Sequence, residues 1–135
     1  MTGTTGTWEP GAASAPDAEL LQRIADAWTT GGEAGVAEFA DENGAVLRSL
    51  MQQGPGALDA VLADVPADVL DAAARFCTLL ERRPGFEAGA RSPVIAFVRA
   101  LRVLEHDSAE LVAWIRANTD NRFLPHGSLQ DRLRR

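Results

Sequence analysis

Apolar side chains recur every three or four positions along most of this chain. Nowhere do they alternate with polar ones over the length of a strand. Leu20, Leu21, Ile24, Ala27 and Trp28 share one face of a 3.6-residue period. Pro16 and Asp17 open that helix, with Asp17 and Glu19 in the first turn, where the helix dipole favours acids. Thr30, Gly31 and Gly32 end it. A weaker segment over 33–41 carries Val36, Phe39 and Ala40, and Asn43-Gly44 marks a turn. The spacing predicts a short helix over 45–53, with Val46, Leu47, Leu50 and Met51 inward. Gly54-Pro55-Gly56 then breaks the chain, and 57–64 carries Leu58, Val61 and Leu62.

Val65-Pro66 separates that segment from a longer helix over 67–83, striped by Val69, Ala73, Phe76, Cys77 and Leu80 and ended by Pro84-Gly85. Ser92 is placed to cap, and Pro93 to take the first helical position, of a helix over 94–105. Val94, Phe97, Val98, Leu101 and Leu104 lie on one face of it, and Ile95 and Val103 widen that face, so it is expected to be the central, most buried helix. Arg99, Arg102 and His106 occupy its polar side. Asp107 and Glu110 have the spacing of a capping box before Leu111, Val112, Trp114 and Ile115. A loop over 119–127 leads to a last short helix over 128–135, with Ser128 and Asp131 as a second capping pair. The expected fold class is all-α, a single-domain bundle of about six or seven mostly short helices. Residues 17–135 form this domain, behind a flexible tail over 1–16 that carries Trp8.

Hydrophobic residues make up 46% of the 135-residue chain, enough to build a core without disulfides or a structural metal. The lone cysteine, Cys77, falls within an apolar stripe and reads as a small buried hydrophobe. No apolar run approaches the ~18–20 residues of a membrane span. The first residues have neither the basic start nor the apolar block of a signal peptide, so a cytoplasmic location is expected. All 13 basic residues are arginine, and the net charge of −6 argues against a general nucleic-acid binder. Charge is unevenly placed: residues 1–74 hold two Arg and twelve acids, whereas 75–135 hold eleven Arg and seven acids. The two halves therefore either attract each other in the fold or present a local basic face to an acidic partner.

Catalytic signals are sparse. The two histidines, His106 and His126, and Cys77 lack the close spacing of metal ligands, so no metal and no cofactor is implied. Ser128 lies two residues from His126, but capping accounts for it. Asp41 with Glu42, Asp68 with Asp71, and Asp107 with Glu110 sit at helix ends or on polar faces. Neither Gly31-Gly32 nor Gly54-Pro55-Gly56 continues into a phosphate-loop pattern.

The most unusual stretch is 120–128, which combines Arg122, Phe123, His126 and turn residues. Either Phe123 and Leu124 plug the core there, or the loop recognises something. The expected function is a non-enzymatic protein-interaction module, an adaptor or accessory subunit, with Trp114, Arg122, Phe123 and His126 meeting another protein. In architecture, though in no diagnostic motif, the alternation of short helices with Gly/Pro joints resembles small helical adaptor domains. The alternative is a small-ligand or anion-binding protein that uses Arg99, Arg102, Arg122 and His126. A third reading, a nucleic-acid factor using Arg82, Arg83, Arg91, Arg132, Arg134 and Arg135, has the net charge against it.

Overall fold

A computed structural model describes residues 17–127; the expected tail over 1–16 and helix over 128–135 lie outside them. Among the described residues there are six α-helices and no strand, so the expected all-α bundle is the observed fold.

Asp17 caps the first helix, its carboxylate accepting the Leu20 N–H at 2.8 Å. Helical structure then runs over α1, Ala18–Glu42. Two residues twenty apart on a straight helix stand about 30 Å from each other. Here Arg23 Nη2 donates to Asn43 Oδ1 at 3.2 Å, so the chain has doubled back between them. Gly32 makes the reversal, at φ 57° and ψ −136°, a region essentially reserved for glycine. The stop expected at Gly31-Gly32 is thus a kink that folds one half of α1 against the other. Gly35 lets them close, because a Cβ there would drive into the Ala27 carbonyl.

After α2 (Gly44–Gln52), helix α3 (Pro55–Leu62) starts two residues earlier than expected, with Pro55 in the first helical turn and Gly54 at φ 87°. Helix α4 (Ala67–Leu80) is the hub: it packs on α1, on α5 (Pro93–Val103) and on α6 (Ala109–Asn118). Sequence places α5 at the centre, but α4 buries more of its circumference because Ala72, Ala73 and Ala74 admit neighbours on several sides. Its Phe76 is fully buried, with Phe39 edge-on to the ring at 5.6 Å. Ser92 caps α5 as expected, its Oγ accepting the Val94 N–H.

Two local expectations change. Ser108, not Asp107, is the N-cap of α6. Asp107 accepts the Ala109 N–H from one residue further out, and Glu110 turns to Arg75 at 3.0 Å instead of closing a capping box. Helix α5 ends sooner than expected, in a Schellman turn: His106 N–H donates to the Leu101 carbonyl and Glu105 N–H to that of Arg102. Glu105 stands at φ 56°, a left-handed position that glycine usually occupies. Val103 and Leu104 are consequently at the helix end and exposed, not part of the buried stripe.

Candidate functional site

The end of α5 and the facing side of α3 enclose a groove of about 250 Å³, walled by Leu62, Ala63, Ala100, Val103 and Leu104. Val103 is 78% exposed and Leu104 48%, and these are the exposed large hydrophobic residues of the described chain. Both fall on this one groove. Asp59 and Arg99 supply its polar side, with Arg99 Nη2 3.6 Å from Asp59 Oδ1. That separation allows charge attraction but exceeds a hydrogen bond, and the same Nη2 atom is buried without a hydrogen-bond partner. The polar side is therefore pinned loosely, while the apolar wall ends in open side chains.

The 119–127 loop is built differently. Asn121 Nδ2 donates at 2.9 Å both to Glu81 Oε1 and to the Gly89 carbonyl. Its own N–H donates to Thr119 Oγ1, and its Oδ1 accepts the Phe123 N–H. Ser92 Oγ donates to Glu81 Oε2, and the Ala88 N–H also reaches this carboxylate. Glu81 thus joins the ends of α4, the 84–92 loop, α5 and the C-terminal loop. Burial pushes its carboxyl above the ordinary 4.5, and the three hydrogen bonds pull the other way without cancelling the rise. A hollow of about 300 Å³ opens beside it, and Arg122 at its edge lies with its guanidinium 4.9 Å from the Phe123 ring centre. Leu124 is buried, as a core plug would be, and Phe123 is half-buried.

Neither Glu81 nor Asn121 was among the residues expected from sequence. A signal for Glu81 existed: it lies four positions after Cys77 on the buried stripe of α4, so the period points it inward.

The expected residues scatter. Trp114 is half-buried, edge-on to Trp28 at 5.6 Å and under the Arg75 guanidinium at 5.2 Å, far more a packing group than a free anchor. Arg75 itself binds Asp71 at 2.7 Å. His126 Nδ1 lies 3.2 Å from Arg102 Nη2. The guanidinium has only donors, so the imidazole accepts through Nδ1. Arg99 lines the α3–α5 groove and Arg122 the hollow beside Glu81, so two of the four groups proposed for an anion line different concavities, while Arg102 and His126 lie against each other. Of the basic set, Arg83 donates to Asp41 at 3.1 Å and Arg91 to the Gln52 carbonyl; Arg132, Arg134 and Arg135 lie outside the described residues, as does Ser128. The pairs Arg83–Asp41 and Arg99–Asp59 join the basic second half of the chain to its acidic first half.

Among the described residues, no group of three His, Cys, Asp or Glu side chains is placed to hold a metal ion, and no helix is long and apolar enough to cross a membrane. Cys77 is fully buried, and burial, reinforced by the nearby Glu81 charge, pushes its thiol well above its ordinary value. The described residues form an all-α bundle with an open apolar lip at this groove. Comparison of the chain with known protein families, curated proteins and solved structures finds no match.

Proposed function

We propose that this domain is a non-enzymatic protein-interaction module, an adaptor or accessory subunit, whose contact surface is the groove between α3 and α5. The observation that carries the reading is the convergence of Val103 and Leu104 on the rim of one apolar groove, while the other large members of the helical stripes are buried or half-buried. Covering a valine or leucine contributes about 1.5–3 kcal/mol when burial is complete, so this pair is a substantial part of a docking energy. A volume of about 250 Å³ is below the roughly 300–1,000 Å³ typical of small-molecule sites, which favours an anchoring side chain over a free ligand. The 119–127 loop is a weaker candidate because Asn121 and Leu124 already hold it in place.

A photo-crosslinking amino acid placed at position 103, and in a parallel protein at position 122, tests this in the native cell. The reading expects a discrete protein adduct from position 103 that disappears when Leu104 is also changed to Asp. Adducts from position 122 alone would return the contact surface to the loop.

A further inference from the structure

Resting on that reading, we infer that the segment the groove receives is a basic amphipathic helix of another protein. The walls are two helices, and α3, with eight residues, is about 12 Å long. That is two turns, the reach of apolar anchors at i and i+3 or i+4 on a docked helix. The surroundings of the apolar lip are acidic. Asp59 is within the groove and 62% exposed. Exposed Asp64 follows Ala63, a wall residue, and exposed Glu105 follows Leu104. Between 49 and 74 there is no Arg or Lys, and none between 103 and 115.

Two cations stand nearby. Arg99 faces Asp59, and Arg102 lies against His126. The carbonyl end of α5, with its partial negative charge, falls on the same rim, because α5 ends at Val103. Glu105 adds an independent sign. It holds a left-handed backbone at φ 56°, a conformation that residues other than glycine rarely adopt. The result is a carboxylate next to the most exposed apolar pair, where glycine would be the less strained choice. Apolar lip, acidic flanks and a helix C-terminus together fit leucine-like anchors flanked by Arg or Lys.

The test is fluorescence anisotropy of the whole protein with three labelled synthetic helices of about 15 residues, identical in their leucine anchors. One carries Arg at its flanking positions, one Gln and one Glu. The inference expects the Arg helix to bind about tenfold or more tighter than the Glu helix, with the preference shrinking as salt rises. Asp64→Asn with Glu105→Gln should remove most of that preference. Val103→Asp should abolish binding; because it adds an acid, attraction between charges alone would tighten binding, so a loss identifies the groove. Circular dichroism of each variant checks that the helices persist.

If Gln and Arg helices bind equally and Val103→Asp abolishes both, the groove reading stands and the charge inference falls. If no helix binds, or Val103→Asp leaves binding unchanged, the groove reading falls with it. If the protein self-associates in sedimentation and Val103→Asp dissolves the dimer without any helix competing, the occupant is a second copy and the inference is overturned.

Discussion

Glu81 shows how one side chain can hold several segments together at an electrostatic cost. Three donors converge on its buried carboxylate, from Ser92, Asn121 and the Ala88 backbone. Removing it leaves them without an acceptor, so Glu81→Ala should cost roughly 2–4 kcal/mol in urea unfolding. The pH dependence has a definite sign. Because the folded-state carboxyl titrates above its ordinary 4.5, the folded chain holds this proton more tightly than the unfolded one. Its contribution is fully present below about 4.5 and is lost as pH rises through the raised folded value. Measured against Glu81→Gln, which does not titrate, the wild type should lose relative stability as pH rises above about 4.5; a relative gain would contradict the assignment. Only half of this pairing was legible in the sequence. The α4 period points residue 81 inward, but a partner forty residues away in an irregular loop leaves no periodic trace.

At the scale of elements, stripes and caps were the legible features. Leu20, Leu21, Ile24, Val69, Phe76, Val94 and Phe97 are buried as their spacing predicts, because a 3.6-residue repeat exposes one face whatever the tertiary context. Gly31-Gly32 signalled a break, but not that the two halves of α1 would close on each other. That depends on Gly35, whose missing Cβ admits the Ala27 carbonyl. Gly35→Ala should therefore destabilise by about 1–3 kcal/mol, although alanine is the better helix former by ~1 kcal/mol. Thermal unfolding reads this directly, and a stabilised variant would mean the halves stand further apart than described. The capping box at Asp107–Glu110 misled for a related reason: Arg75, remote in sequence, offers Glu110 a charge-assisted partner 3.0 Å away.

For the whole molecule, the chain's charge asymmetry is partly satisfied internally, through Arg83–Asp41 and Arg99–Asp59, so it did not by itself mark a partner site. The informative departure is at the end of α5. Periodicity assigns Leu104 and Val103 to an apolar face, yet it cannot say whether any element remains to cover them. The helix stops at Val103, α3 is short, and the pair is left on the surface. Departures of this kind, where local pattern and tertiary outcome disagree, are where function is to be sought. The candidate site was thus not legible in the sequence: Val103 and Leu104 read as core, and of the residues expected at a site only Arg99, from the anion alternative, lines the groove. A docking surface here requires these two side chains to lie outside the core. Urea unfolding of Val103→Ser with Leu104→Ser, beside Phe97→Ala, measures it most directly. The groove variant should change stability by no more than about 0.5 kcal/mol, against roughly 3–5 kcal/mol lost by Phe97→Ala. A groove variant that loses about 2 kcal/mol or more on the same scale would place Val103 and Leu104 in the core and contradict a docking surface there.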